Sequence, residues 1–212
     1  MYSRFMILSA VLGLTAAPLA AQTDLGFRAG VGLARMDFSG VAYAPCPPET
    51  DCHSAPDDWS LSPLISADVR HATGVLSFRV SFTYAVKGGA GSGGRYANGT
   101  PSSGTQRLHF LQFSPLLEAN MPWDARGRFA VSLLFGPWAA LRVGCSVAGA
   151  LAAGCYTDEM PDAGVAFGGG IHYTVASTLT ITAESIYHWG LVPNAGGGLT
   201  RLVAVQVGAT IH

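Results

Sequence analysis

Long stretches of this chain alternate apolar and polar residues one by one. The clearest stretch runs from Leu76 to Lys87 and reads LSFRVSFTYAVK, with large apolar side chains at every second position. An amphipathic helix would instead repeat its apolar residues every three or four positions. Successive side chains of a strand point to opposite faces. The pattern therefore predicts an extended strand with one apolar and one polar face.

Seven further stretches repeat this alternation, Val203–His212 clearly and the other six more weakly, which makes about eight candidate strands in all. They are Leu25–Phe38, Leu61–Arg70, Leu111–Met121, Phe129–Arg142, Asp162–Tyr173, Leu179–Tyr187 and Val203–His212. Strands of soluble sheets are most often about five or six residues long. A strand that crosses a bilayer at a tilt needs about nine to eleven residues, which is the length of these stretches. Their length favours membrane-crossing strands.

The predicted connections between these strands alternate in length. Short connections are expected at His71–Gly74, Pro122–Gly127 and Val175–Thr178, and long ones at Ser39–Asp58, Gly88–Thr105, Gly144–Met160 and His188–Gly198. Short turns on one side and long loops on the other are typical of outer-membrane barrels, whose termini both lie on the periplasmic side. The predicted fold is an all-β, transmembrane, antiparallel up-and-down β-barrel of about eight strands.

The composition favours lipid as the solvent of the apolar face. Charged residues make up 12% of the chain and hydrophobic residues 49%, whereas soluble domains carry roughly 25% charged residues. Six aromatic residues are expected near strand ends, as an interfacial girdle would require: Phe27, Phe82, Tyr84, Phe129, Tyr173 and Tyr187. Periodicity alone does not distinguish inside from outside, so a soluble secreted barrel or sandwich stays open as an alternative.

The charges that occur within the predicted strands fall on the face opposite the apolar stripe. These residues are Arg28, Asp68, Arg70, Arg79, Glu118, Arg142, Asp162 and Glu184. An eight-stranded barrel has a lumen only wide enough to be filled by side chains. We therefore expect the eight residues to form a polar network in the lumen, with no open pore. The net charge of −1 gives no basis for binding nucleic acid.

The N-terminal residues have the pattern of a cleaved signal peptide. Arg4 precedes an apolar run from Phe5 to Leu14, and small residues lead to a cleavage site near Ala21 and Gln22. This run is too short for a transmembrane helix, which needs about 20 apolar residues. The predicted organisation is a signal peptide over residues 1–21 and an outer-membrane β-barrel domain over residues 22–212. The expected location is the outer membrane of a Gram-negative-type bacterium.

The four cysteines form two pairs that are close in sequence. Cys46 and Cys52 share the first predicted long loop, and Cys145 and Cys155 share the third. Exported proteins meet an oxidising compartment, where disulfides are the default. Neither pair has the close spacing that is typical of a zinc site. We therefore predict the disulfides Cys46–Cys52 and Cys145–Cys155, with no metal and no other cofactor.

Six short segments occur along the chain in an order that is known from one protein family. They are LGFRAGVGLARMDF from Leu25, FRVSFTYAVKGG from Phe78, FSPLL from Phe113, the pair Gly136 and Pro137, DAGVAFGGGI from Asp162 and YHWGL from Tyr187. In this order they resemble the PorT-like outer membrane β-barrel family. The resemblance implies an integral protein that contacts outer-membrane lipid and is inserted by the barrel assembly machinery. A namesake member is tied to protein secretion, a role that fold resemblance does not transfer.

The expected function is a structural or surface-interaction role without catalysis, in which the long loops meet an unknown extracellular ligand or protein. One alternative is a lipid-modifying enzyme, for which His172 with Thr174 and Glu184 with Ser185 are the nearest catalytic pairs. GxSxG and HExxH motifs are absent from the sequence. A lumen hydrogen-bond network is the simpler interpretation of these pairs. The second alternative is a soluble ligand-binding β-barrel.

A glycine pattern in the second long loop resembles a nucleotide-binding motif. Gly89, Gly91 and Gly94 match GxGxxG, but no predicted helix follows them to receive a phosphate. We expect a flexible surface loop there instead.

Overall fold

The computed structural model describes residues 23–37, 58–73, 75–95, 101–149, 161–193 and 199–212. These residues form eight strands: β1 (Thr23–Asp37), β2 (Ser60–Thr73), β3 (Leu76–Arg95), β4 (Pro101–Pro122), β5 (Phe129–Gly149), β6 (Asp162–Ala176), β7 (Leu179–Gly190) and β8 (Leu199–Ile211). Each strand pairs antiparallel with its sequence neighbours, and β8 pairs with β1 to close the barrel. The prediction of an all-β antiparallel barrel of about eight strands is confirmed.

The two ends of the barrel differ in their connections. At one end, called the turn end here, short turns join β2 to β3, β4 to β5 and β6 to β7. The opposite end is called the loop end. In the β4–β5 turn, the carboxylate of Asp124 accepts a hydrogen bond from the backbone N–H of Phe129 at 2.8 Å, and Gly127 adopts a φ of 66°. Glycine suits that left-handed conformation because it has no Cβ.

The strands are strongly staggered around the barrel. Following paired residues once around, from Thr73 in β2 through β3 to β8 and β1, leads back to β2 at Pro63, ten positions along the strand. A stagger of this size tilts the strands against the barrel axis, and eight strands enclose only a narrow lumen. The geometry brings inward-facing side chains from opposite walls into contact.

Three strands run further at the loop end than the sequence predicts. The prediction of a loop over Gly88–Thr105 is wrong, because residues 88–95 belong to β3 and residues 101–105 to β4. The strand β5 likewise continues to Gly149, past the predicted boundary at Arg142. We call residues 88–95, 101–107 and 146–149 the β3–β5 extension. Backbone pairing needs no alternation of side chains, so this glycine- and serine-rich stretch carries no strand signal in its sequence.

The outward-facing side chains are predominantly large and apolar. We call the following exposed residues the apolar band: Leu25, Phe27, Val31, Leu33, Leu61, Ile65, Val69, Leu76, Phe78, Phe82, Leu111, Leu117, Leu133, Phe135, Leu141, Phe167, Ile171, Ile181, Val203, Val205, Val207 and Ile211. Among the described residues, none forms a helix that could span a membrane by its length and apolarity.

The expected girdle of aromatic residues is only partly formed. Phe129 and Tyr173 pack together at the turn end, with ring centroids 4.6 Å apart. Phe82 was expected near a strand end, but it pairs with Ala67 in β2 and packs on Phe113 in β4, well inside both hairpins. The prediction for Phe82 is therefore wrong, because the additional length of β3 and β4 moves their ends away from it.

Candidate functional site

The lumen contains the side chains whose burial is hardest to explain by packing alone. Arg28, Asp68, Arg79, Glu118 and Glu184 all point inward and are at most 3% exposed. A buried charge is costly unless it is paired and hydrogen-bonded. Each of these five side chains has a partner of opposite charge in the lumen.

The buried charges form a chain of contacts, and its first half leads from β2 through β1 and β7 to β3. The carboxylate of Asp68 pairs with the guanidinium of Arg28, whose Nε lies 3.2 Å from Oε1 of Glu184. Glu184 accepts two bonds from Arg79, at 2.5 Å and 3.1 Å. Because β7 and β3 lie on opposite walls of the barrel, the bidentate pair of Glu184 and Arg79 connects the two walls.

The second half leads from the same arginine towards the turn end. Nη1 of Arg79 lies 3.8 Å from Oε2 of Glu118, and Oε1 of Glu118 lies 3.4 Å from Nη1 of Arg70. The guanidinium of Arg70 donates to the carboxylate of Asp24 at 3.0 Å and 3.3 Å. The imidazole of His212 contacts the other oxygen of Asp24 at 3.0 Å.

These seven residues alternate in sign along an unbroken chain of contacts. We call them the lumen charge chain: Asp68, Arg28, Glu184, Arg79, Glu118, Arg70 and Asp24. Each arginine lies between two carboxylates, and the three arginines together face four carboxylates. The bidentate pair of Arg79 and Glu184 is a charge-assisted hydrogen bond of the strong kind, and the longer contacts of 3.2, 3.4 and 3.8 Å add ionic attraction. The chain holds five strands together through their side chains.

A second ionic group lies nearer the loop end. Nζ of Lys87 is 3.4 Å from Oδ2 of Asp162, and the hydroxyl of Thr200 donates to both oxygens of that carboxylate at 3.0 Å and 2.8 Å. The same ammonium lies 3.8 Å from the ring centroid of Trp138 and 5.1 Å from that of Phe110. Aromatic faces stabilise a desolvated cation. They help to explain how a lysine is accommodated at 2% exposure.

The lumen between these two ionic groups contains both apolar and uncharged polar side chains. Leu116, Leu134, Trp138 and Ile186 form one buried cluster there. A cavity of about 20 Å³ remains beside Arg28, Arg79 and Gln112. That volume is close to the minimum for a single water molecule. At this level of the barrel the side chains leave room for about one water molecule.

The eight residues expected to form one polar network fall into three places. Arg28, Asp68, Arg70, Arg79, Glu118 and Glu184 lie in the lumen charge chain, while Asp162 pairs separately with Lys87. Arg142 lies half-buried in β5 near the loop end, opposite Phe110. Of the predicted disulfide residues, Cys145 lies in β5, whereas Cys46, Cys52 and Cys155 lie outside the described residues. Residues 1–21 also lie outside them.

The sequence analysis did not predict three further lumen residues, although the alternation of the strands could have identified them. Asp24 lies one residue before the predicted start of β1, and Lys87 occupies the predicted polar face of β3. His212 follows β8 and contacts Asp24 and Thr180. Extending the inward parity of β1 by one residue places Asp24 in the lumen, and His212 already lies on the polar face of the predicted stretch Val203–His212.

His172 shows why the catalytic interpretation fails for these residues. Its Nε2 lies 2.8 Å from the hydroxyl of Ser132 and 3.3 Å from Oε1 of Glu118, while Nδ1 contacts Thr182 at 3.2 Å. A hydrolase relay also needs a hydroxyl that a substrate can reach. The hydroxyl residues on the two ring nitrogens, Ser132 and Thr182, are both completely buried, and His172 itself is 5% exposed.

The second candidate pair is separated by the pleat of its strand. Glu184 points into the lumen and is 2% exposed, whereas Ser185 faces outward. Within the described residues there is no cluster of three or more histidine, cysteine or acidic side chains that could hold a metal ion.

Comparisons with known proteins give weak structural similarities only. Neither a protein-family model nor a curated protein matches the chain. Among solved structures, Ail of Yersinia pestis in complex with the heparin analogue sucrose octasulfate has a TM-score of 0.46 at 10% identity, covering 90% of this chain and 98% of that one. Neisserial surface protein A has a TM-score of 0.43 at 14% identity over 88% and 96%. The N-terminal β-barrel domain of OprF from Pseudomonas aeruginosa has 0.39 at 10% identity over 90% and 98%.

Proposed function

We propose that this chain is an integral outer-membrane β-barrel protein with a structural or surface-interaction role, an occluded lumen and no catalysis. The observation that carries the proposal is the distribution of polarity. Charged side chains are buried in the lumen charge chain, whereas large apolar side chains of the apolar band are exposed. A water-soluble barrel has the opposite arrangement.

The size of the exposed apolar surface supports lipid as its solvent. Phe27, Ile65, Leu117, Phe135 and Leu141 are each between 58% and 64% exposed. The largest apolar patch on a soluble monomer is usually about 300–600 Å², and the apolar band occurs on all eight strands. A membrane barrel turns such a band towards the hydrocarbon and keeps its polar residues inside.

The β3–β5 extension supports a surface-interaction role. The strand β3 continues for eight residues beyond Lys87, from Gly88 to Arg95, which is roughly 25 Å at the usual rise per residue. β4 and β5 accompany it, so the extension is a sheet held by backbone hydrogen bonds. In the proposed orientation the loop end is extracellular. The extension then presents an ordered surface beyond the bilayer, together with the long loops.

The membrane location is tested by heat-modifiability. We expect the protein to be recovered in the outer-membrane fraction and to migrate differently on a denaturing gel before and after boiling, because a closed barrel resists detergent until it is heated. A boiled sample of the same fraction is the matched control. Recovery as a soluble periplasmic protein without a shift would contradict the proposal and favour the soluble ligand-binding barrel.

The occluded lumen is tested by conductance. In a planar bilayer, we expect the purified protein to give no conductance steps above background, because the lumen charge chain and the apolar cluster around Trp138 fill the interior. A general porin purified in the same detergent is the positive control. Reproducible open-channel steps from the wild-type protein would contradict an occluded lumen.

Membership of the PorT-like family, the signal peptide and the two disulfides stay predictions. We propose no secretion role on the basis of the resemblance, and we propose outer-membrane lipid and the barrel assembly machinery as partners.

A further inference from the structure

Four residues form a transverse row on the outside of the barrel at the loop end. Trp189 in β7 pairs with Arg201 in β8, and Arg201 pairs with Arg35 in β1. Trp59 directly precedes Ser60, the partner of Ala34, and therefore lies beside Arg35 on the next strand. We call Trp189, Arg201, Arg35 and Trp59 the Trp–Arg row. It crosses four neighbouring strands with both arginines between the two tryptophans.

The row is held together by defined contacts. The guanidinium carbon of Arg35 lies 5.1 Å from the ring centroid of Trp59, and that of Arg201 lies 5.4 Å from the ring of Trp189. Nη1 of Arg201 donates to the backbone carbonyl of Gly190 at 2.8 Å. The carboxylate of Asp37 lies 3.9 Å from Arg35 and 3.5 Å from Arg201. Two cations share one carboxylate, so the cluster has one excess positive charge.

This surface retains capacity to bind an anion. The side chain of Arg35 is 39% exposed, and its Nη2 lies 3.9 Å from the carboxylate of Asp37, which is too far for a hydrogen bond. Both tryptophan residues are 44% exposed. A guanidinium has planar N–H donors that match the oxygens of a phosphate. Arg35 can therefore donate to a phosphate, while Arg201 contributes positive charge from the neighbouring strand.

The position of the row selects the source of that phosphate. On the same strands and nearer the turn end, the outward positions are occupied by Leu61, Leu33 and Val203 of the apolar band. Tryptophan is enriched where hydrocarbon meets headgroups. A ligand at the row thus has apolar strands on one side and solvent on the other. A lipid fits both environments at once, because its acyl chains follow the strands and its headgroup meets the arginines.

We propose that the Trp–Arg row binds the phosphate-bearing headgroup of an anionic lipid in the leaflet at the loop end. This inference rests on the proposed membrane location and names the lipid class that one site of the barrel prefers. It adds a lipid-binding site on the outer surface, apart from the loops and the β3–β5 extension.

Tryptophan fluorescence provides the test, because two of its reporters lie within the site. All proteins in this test carry Trp123→Phe, which removes the exposed tryptophan of the β4–β5 turn, and the protein with this change alone is called wild type here. The remaining tryptophan outside the site, Trp138, is 2% exposed in the lumen and shielded from lipid. The protein is inserted into phosphatidylcholine vesicles that contain either brominated phosphatidic acid or the same fraction of brominated phosphatidylcholine. The preference is the ratio of the apparent affinities of the two brominated lipids for the site, read from the quenching of tryptophan fluorescence. Because the site has one excess positive charge at the membrane surface, we expect a ratio of about five in favour of phosphatidic acid.

Arg35→Gln combined with Arg201→Gln is expected to reduce this preference to about one. If the double variant does not fold, Arg35→Gln alone takes its place. This single variant leaves the backbone contact of Arg201 intact and should also lower the preference. Arg126→Gln with Arg128→Gln, in the exposed β4–β5 turn at the opposite end, is the matched control and should keep the wild-type preference. Equal quenching by the two lipids in the wild type, or an unchanged preference in Arg35→Gln, would overturn the inference. A wild-type barrel that fails to insert would instead overturn the proposed function, and the inference with it.

Discussion

Arg79→Met is expected to lower the free energy of unfolding by about 3 kcal/mol or more, which is the usual cost of removing one partner from a buried ion pair. Arg79 is 1% exposed and lies between Glu184, at 2.5 Å, and Glu118, at 3.8 Å. Without it, four carboxylates of the lumen charge chain face only two arginines. The measurement is a urea or guanidinium titration of the barrel folded in lipid vesicles.

A second-site variant distinguishes lost charge balance from lost packing. Arg79→Met with Glu184→Gln leaves three carboxylates and two arginines, the same charge difference as in the wild-type chain, and should recover part of the lost stability. Arg126→Gln, at an exposed turn position, controls for removal of an arginine as such and should change the free energy by less than about 0.5 kcal/mol. An Arg79→Met variant as stable as that control would contradict the energetic role of the lumen charge chain.

Val205→Arg is expected to destabilise the membrane-inserted barrel by about 2–4 kcal/mol, the cost of an arginine at the midplane of a barrel's lipid face. Val205 lies at the middle of β8, is 54% exposed and pairs with Ser185 and Val31. In a water-soluble barrel the same substitution would place a charge on a wet surface at almost no cost. The same unfolding titration in vesicles measures the difference.

Val75→Arg is the matched control for this substitution. Val75 is 58% exposed in the β2–β3 turn, outside the strands. An arginine there reaches the interface, where the expected cost falls to about 0–1 kcal/mol. Equal effects of Val75→Arg and Val205→Arg would contradict a lipid-facing apolar band.

The alternation of the sequence predicts the barrel well because each strand meets two different environments. Along Leu76 to Lys87, the polar face of the pattern is the lumen face, as Ser77, Arg79 and Lys87 show by their burial. The alternation weakens where the lumen itself is apolar, because both faces of the strand then carry apolar side chains. In β5, Leu134 and Trp138 face the lumen while Leu133 and Phe135 face outward, so alternation there does not reveal the apolar part of the lumen.

The pairing of the charges could not be predicted in the same way. Glu184 meets Arg79 because of the ten-residue stagger and the closure of the barrel, and neither quantity is encoded locally. The sequence predicts which residues face inward, whereas the stagger decides which of them meet. Asp162 therefore pairs with Lys87 at the loop end instead of joining the charges near the turn end. The β3–β5 extension is also missed, because its pairing depends on the backbone.

The lumen charge chain also constrains the order in which the protein can assemble. Glu184 belongs to the seventh strand, and both Arg28 and Arg79 depend on it, although they are translated more than a hundred residues earlier. A partial barrel that lacks the last two strands would expose these arginines without their shared counter-ion. We therefore expect the barrel to close cooperatively, with the N-terminal hairpins acquiring a stable interior only when the C-terminal strands complete the circle.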